Sequence, residues 1–286
     1  MDPEQISILV VDDDESIRGL LSSYIGSAGY HVAVADDGQR ALEMLSVECF
    51  DLVLLDYKMP GLDGAEVLAS IRTTYSPSKT AVIMCTSIKD AGSVSHCINL
   101  GANDYLAKPI NEKILRSRIW RSLMNQRVDR KRDELSADLD DNPANILVVD
   151  DSEMSSELIE ARINAAGHNA IVAKNGAIAL QLMAENRIDA VLLDIMMPDM
   201  DGYEVLGRIK ANPEWRDIPV MMVSALDESE AATKCFDLNA DDYITKPFKS
   251  AILKVRLNSI LCTRRETIFE REKLNHLKAL AKEGAR

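Results

Sequence analysis

Short apolar runs alternate with longer stretches of helical period along almost the whole chain. Residues 6–11 are apolar apart from Ser7 and predict a strand. Ile17, Leu20, Leu21, Tyr24, Ile25 and Ala28 follow at the i, i+3, i+4, i+7 spacing of one helix face. Gly29 then stands where a left-handed residue ends a helix, as does Gly167 later in the chain. Further strand-like runs occur at residues 31–34, 52–55, 81–85 and 105–107, separated by segments of helix length. The runs are near-continuous in hydrophobicity, as parallel strands covered on both faces must be. The pattern predicts an α/β domain of five β–α units, doubly wound around a parallel sheet.

The same pattern occurs twice. Ile8-Leu9-Val10-Val11-Asp12-Asp13 returns as Ile146-Leu147-Val148-Val149-Asp150-Asp151. Leu54-Leu55-Asp56-Tyr57-Lys58-Met59-Pro60 returns as Leu192-Leu193-Asp194-Ile195-Met196-Met197-Pro198, and Asp104-Tyr105-Leu106-Ala107-Lys108-Pro109 as Asp242-Tyr243-Ile244-Thr245-Lys246-Pro247. Every pair is offset by 138 positions, so no net insertion separates the copies. Two repeats of this length are a duplicated globular domain, not a solenoid. The expected organisation is one domain over residues 1–125, a helical extension and acidic linker over 126–143, a second domain over 144–264, and a helical tail over 265–286. The charged run at 127–134 reads as an extension of the last helix of copy one, and the acidic run ending in Asn142-Pro143 as the break.

Composition narrows the function. The net charge of −13 argues against nucleic acid or an anionic membrane as partner, because neither polyanion attracts an acidic surface. No apolar run approaches the length of a membrane span. The start, Met1-Asp2-Pro3-Glu4, lacks the basic and apolar segments of a signal peptide. The five cysteines have no CxxC spacing, which points to reduced thiols in a cytoplasmic protein.

The chemistry gathers at predicted strand ends. In an open parallel sheet the carboxyl ends of the strands share one edge, where ligands bind. Asp12 and Asp13 follow the first strand and Asp56 the third; Asp150, Asp151 and Asp194 do so in copy two. Three neighbouring carboxylates repel one another, and Mg²⁺, a hard ion content with few carboxylates plus water, relieves that repulsion. The alternative role for one of these acids is helix N-capping, by Asp13 or Asp14. Thr86 and Ser224 end the fourth strand, where a hydroxyl can donate to a phosphoryl oxygen. Lys108 and Lys246 follow the fifth and supply a compact positive charge.

The joint pattern of an acidic pair, Leu-Leu-Asp-x-x-Met-Pro-x-x-Asp-Gly, a Thr or Ser, and Lys-Pro resembles the receiver domain of bacterial two-component response regulators, over residues 5–125 and 144–265. The resemblance implies two tandem flavodoxin-like domains and Mg²⁺-dependent phosphorylation of Asp56 and Asp194 by a sensor histidine kinase or a histidine phosphotransfer protein. It implies Mg²⁺ ligation by Asp12, Asp13, Asp56 and the Lys58 backbone carbonyl, and by Asp150, Asp151, Asp194 and the Met196 carbonyl. Thr86, Ser224, Lys108 and Lys246 would contact the phosphoryl group. Tyr105 and Tyr243 would be switch aromatics, and both Lys-Pro bonds cis. Lys58 differs from Met196 beside the acceptors, and Ile88 and Leu226 lie two positions beyond the hydroxyls. Apolar neighbours there position water poorly, so slow self-dephosphorylation is expected, slowest at Asp194.

Beyond the second copy, Phe269, Leu274, Leu277 and Leu280 can continue one side of a helix, suited to pairing two chains as a short coiled coil. A homodimer through this helix or through the receiver faces is thus an expected partner. The leading expectation is a non-enzymatic signalling module. Its first rival is the regulatory input portion of a longer enzyme, such as a diguanylate or adenylate cyclase or a phosphatase. A haloacid-dehalogenase-like phosphatase, with an Asp-x-Asp motif on the first strand, fits Asp12-Asp13-Asp14 but not Asp150-Asp151-Ser152. Dinucleotide binding fails for want of GxGxxG after either first strand. The four histidines, His31, His96, His168 and His276, form no phosphotransfer box.

Overall fold

The computed structural model describes residues 5–87, 91–135, 143–225, 228–262 and 264. The expected tail at 265–286, the stretch at 136–142, and Ile88 and Leu226 lie outside them. In copy one the elements run β1 (Ser7–Val11), α1 (Glu15–Gly26), β2 (His31–Ala35), α2 (Gly38–Val47), β3 (Leu52–Asp56), α3 (Gly64–Thr74), β4 (Ala81–Ser87), α4 (Ala91–Asn99), β5 (Asp104–Lys108) and α5 (Glu112–Leu135). Copy two repeats them as β6 (Asn145–Val149), α6 (Glu153–Ala165), β7 (Asn169–Ala173), α7 (Gly176–Glu185), β8 (Ala190–Asp194), α8 (Gly202–Ala211), β9 (Val220–Ser224), α9 (Glu228–Asp237) and β10 (Asp242–Thr245). A last helix, α10, spans residues 250–262. Each copy is one five-stranded parallel sheet, ordered β2-β1-β3-β4-β5 and β7-β6-β8-β9-β10. The expected fold class is observed, and both the Lys108–Pro109 and Lys246–Pro247 bonds are cis.

The apolar strands are explained by two-sided burial. In copy one, Ile8, Val10, Leu52, Leu54 and Ile83 face Leu21 and Ile25 of α1 and Leu115, Ile119 and Leu123 of α5. Their neighbours Leu9, Val11, Val53, Leu55, Val82 and Met84 face Ala41, Leu45, Val67, Leu68 and Ile71 of α2 and α3. Central β3 and β8 are buried at all five positions. Local signals set the helix starts. Asp14, Asp37 and Asp63 cap α1, α2 and α3, Asp63 in a capping box with Glu66. Ser152, Asn175 and Asp201 cap the equivalents.

The copies dock through one face each. α5 packs against α9, where Asn111 donates to Thr233 (2.9 Å) and Lys113 pairs with Asp237. Val94 and Ile98 of α4 pack into the core of copy two beside Phe248, Ile252 and Leu253. Asn125 donates to Ser259 of α10 at 3.0 Å. At the centre Arg118 pairs with Asp104 (3.2 Å) and Asp242 (2.6 Å), and Arg256 with Asp242 (3.2 Å) and Asp104 (3.7 Å). Arg118 and Arg256 are related by the 138-residue offset, as are Asp104 and Asp242, so the joint has approximate two-fold symmetry. Arg121 joins Asp242 at 3.1 Å, and its counterpart is Ser259.

Candidate functional site

The β–α connections at the carboxyl edge of each sheet bring the acids together. Strand β1 ends so that Asp12 is buried and Asp13 exposed. Asp14 is taken by the helix cap, accepting from Ser16 and Ile17, so the capping reading applies to Asp14 and not to the acidic pair. The Asp14 N–H in turn donates to Asp12 Oδ1 (3.0 Å) and fixes that carboxylate. Asp56 ends β3 at 5% exposure, its Oδ2 accepting the Lys58 N–H at 3.2 Å. The chain then turns into α3 at Gly64, where a side-chain Cβ would overlap the backbone carbonyl of Asp56. Gly202 meets Asp194 in the same way. The glycine of the Asp-Gly pair is therefore a packing requirement of the acceptor strand.

Lys108, at the end of β5, reaches across the edge. Its Nζ lies 2.7 Å from Asp12 Oδ2 and 2.5 Å from Asp56 Oδ1. Lys246 repeats this with Asp150 and Asp194, both at 2.7 Å. Burial opposes the ammonium charge, but the hydrogen bonds and charges of two carboxylates outweigh it and raise both lysine pKa values. Asp56 and Asp194 are also raised: desolvation comes first and the second carboxylate adds to it, against the lowering effect of the lysine. Thr86 and Ser224 are buried at the ends of β4 and β9, with Thr86 one residue beyond Cys85, the register partner of Asp56. Burial pushes the Cys85 thiol up to about 12, so it packs as a neutral group. Tyr105 is half-buried, whereas Tyr243 is buried in the core of its own copy.

Asp12, Asp13 and Asp56 each offer an oxygen within 4.8 Å of the others. Octahedral Mg²⁺ holds oxygens at about 2.0–2.1 Å, hence opposite ligands about 4 Å apart, and the donor set fits it. Among the described residues that spacing is met in copy one and not by Asp150, Asp151 and Asp194. In copy two the Ser155 hydroxyl donates to Asp150 Oδ2 at 2.6 Å, where copy one has Ile17. In copy one Arg18 donates to the Asp12 carbonyl at 2.7 Å, and its counterpart is Ser156. Sequence reading missed Ser155 and Arg18. Each stands one turn or less into a helix that starts beside the site, and comparing the copies position by position is the signal that finds them.

Two doubly wound sheets, each closing a lysine over an acceptor-like aspartate at its carboxyl edge, define a phosphoacceptor signalling class. The family model described as the response regulator receiver domain matches residues 8–120 and 146–258, and the chain belongs to that family, as a tandem pair. It is 26% identical over 288 aligned positions to the response regulator PleD of Caulobacter vibrioides, a match spanning 96% of this chain and 63% of that protein. Over 117 residues, 41% of this chain and 52% of the relative, it is 40% identical to response regulator RR06 of Streptococcus pneumoniae. Among solved structures it resembles the receiver domain of a sensor histidine kinase from Pseudomonas aeruginosa, determined with magnesium coordinated in the active-site cleft. That match has 28% identity and a TM-score of 0.40, covering 42% of this chain and 98% of that one. Among the described residues, no helix is long and apolar enough to cross a membrane.

Proposed function

We propose that the chain accepts phosphoryl groups on Asp56 and Asp194 from the phosphohistidine of a sensor kinase or phosphotransfer protein in the cytoplasm, and converts them into a change of protein-interaction surface. The observation carrying this reading is the clasp of Lys108 on Asp12 and Asp56, repeated in register by Lys246 on Asp150 and Asp194. A carboxylate oxygen of Asp56 attacks phosphorus; the P–N bond breaks and its electron pair stays on the leaving imidazole, which is protonated. An acyl phosphate results. The buried lysine offsets charge on the acceptor and then on the phosphoryl oxygens, and the Thr86 or Ser224 hydroxyl donates to one of these. Asp12, Asp13 and Asp56, with the Lys58 carbonyl, would hold Mg²⁺, and Asp150, Asp151, Asp194 and the Met196 carbonyl would do so in copy two. When bound, the ion neutralises anionic charge between acceptor and donor. Tyr105 and Tyr243, on the strands that lead to the two lysines, carry the change outward as switch aromatics.

The test is intact mass after incubation with Mg²⁺ and acetyl phosphate. Wild type gains up to two phosphoryl groups, while Asp56→Ala and Asp194→Ala each gain at most one. No acid-labile gain in any of the three refutes the reading, and loss of all gain in just one variant leaves a single live site.

A second reading has its own support. The match to PleD spans nearly all of this chain but 63% of the relative, so the chain covers less than two thirds of that regulator's length. On this second reading the tandem receivers act as a regulatory input, as a pair of receivers would in a regulator of that length. As a pair of receivers the chain is not an enzyme beyond its own phosphorylation and slow dephosphorylation.

A further inference from the structure

Asp104 and Asp242 immediately precede Tyr105 and Tyr243, and each carboxylate is tied to the backbone of its tyrosine. Asp104 Oδ1 accepts the Tyr105 N–H at 2.8 Å, and Asp242 Oδ1 accepts the Tyr243 N–H at 2.6 Å. The same two carboxylates receive Arg118 from copy one and Arg256 from copy two. All four side chains are at most 5% exposed. Strands β5 and β10 are thus gripped at one end by a charge cluster shared between copies. At the other end they finish in Lys108 and Thr245-Lys246, beside the acceptors. The Arg256 guanidinium lies 4.2 Å from the centre of the Tyr105 ring, and Arg118 donates to the Tyr243 carbonyl at 3.3 Å.

We propose that Arg256 is a positioning residue acting from the second copy on the first: by holding Asp104 and the Tyr105 ring it sets strand β5 and the reach of Lys108, and so couples phosphorylation of Asp56 to that of Asp194. This rests on the phosphoacceptor reading above. The sign comes from the geometry. A phosphoryl group on Asp56 re-aims the Lys108 ammonium from Asp12 toward new oxygens, which shifts the end of β5 and strains the hold of Arg256 on Asp104 and Tyr105. Those contacts are held in common with Asp242. Once the first event has loosened them, the second has less to disrupt. A rigid, buried ionic cluster has few intermediate arrangements, so it behaves as one two-state element biased by both sites. The second phosphorylation is therefore favoured by the first.

The experiment uses the full chain with Mg²⁺ and graded acetyl phosphate, counting species with zero, one and two phosphoryl groups by intact mass. Asp56→Asn and Asp194→Asn supply the occupancy of each site alone. In wild type the doubly phosphorylated species exceeds the product of the two single-site occupancies by about fivefold or more. Arg256→Ala reduces the excess to less than about twofold, and Arg256→Lys, which keeps a cation for Asp104 and Asp242, recovers part of it. An excess unchanged in a cooperatively folded Arg256→Ala protein overturns the role of this residue. Should Arg256→Ala fail to fold, Tyr105→Leu removes only the ring, and it must also lower the excess. Both sites labelling in wild type with a species count equal to or below the product overturns the coupling itself. No label on either site would instead overturn the phosphoacceptor reading, so the two failures are distinct.

Discussion

The two acceptor sites agree where backbone register dictates and differ where only a side chain is at stake. Lysine, two acids and the glycine under the acceptor carbonyl coincide to within about 0.2 Å in the lysine contacts that can be compared (2.5 and 2.7 Å in copy one, 2.7 and 2.7 Å in copy two). Around this frame Ile17 becomes Ser155, Arg18 becomes Ser156, Lys58 becomes Met196 and Cys85 becomes Val223. None of these exchanges moves a strand. They alter how tightly one carboxylate oxygen is held and what faces solvent beside the acceptor, since Met196 is 60% exposed. Duplication has kept the arrangement of lysine and acids and left the groups around it free to diverge.

The strongest way to break that comparison is at the shared frame. Lys108→Ala should lower the labelling rate of Asp56 by about 10²–10³-fold, the cost typical of removing one preorganised electrostatic stabiliser, with Asp194 still labelled. Lys246→Ala should show the mirror result, and peptide-resolved mass spectrometry reads both. An equal loss at both sites from either change would mean that the copies do not work as separate sites. Gly64→Ala and Gly202→Ala each force a Cβ into backbone and should cost about 1–3 kcal/mol apiece, measured by denaturant unfolding. A neutral effect at one and not the other would show that the frames differ after all.

The peripheral exchanges give smaller effects that sharpen the contrast. Ser155 occupies an oxygen of Asp150, so Ser155→Ile should tighten Mg²⁺ binding in copy two by about tenfold, the lower end of outer-shell effects. Calorimetric titration of the Asp56→Ala chain reads copy two in isolation. An unchanged or weaker affinity would refute the competition between hydroxyl and ion. The smallest shift is kinetic. An exposed charge contributes about 0.4–1 kcal/mol at the upper part of its usual range, so Met196→Lys should shorten the lifetime of phosphorylated Asp194 by about two- to fivefold. Lys58→Met should lengthen that of Asp56 to match. Lifetimes that do not respond would detach hydrolysis from this position.

Much of the fold was legible because each determinant is local. Wholly apolar runs such as Leu52-Val53-Leu54-Leu55 report two-sided burial directly, and Asp37 or Asn175 cap helices by contacts three residues away. The meeting of Asp56, the acidic pair and the lysine was legible for another reason: three distant motifs recurred in one register, and a parallel sheet sends all their strand ends to one edge. The docked face was not legible. Arg118 and Arg256 sit on helices, where an isolated charge normally means a solvated surface, and here both are buried among acids of the two copies. Their counterpart acids, Asp104 and Asp242, were legible only as part of the repeated motif around Tyr105 and Tyr243. The helical register of α5 was read as far as its charged extension, and the structure carries it to Leu135.

The docked face has one more consequence, which concerns dilution. Exposed ion pairs such as Lys113–Asp237 contribute little to association between separate molecules. Carrying both halves on one polypeptide presents each to the other at an effective concentration on the order of millimolar, whatever the number of molecules in the cell. The same two halves made as separate polypeptides would meet only at their cellular concentration and part on dilution, keeping their individual folds and losing their conversation.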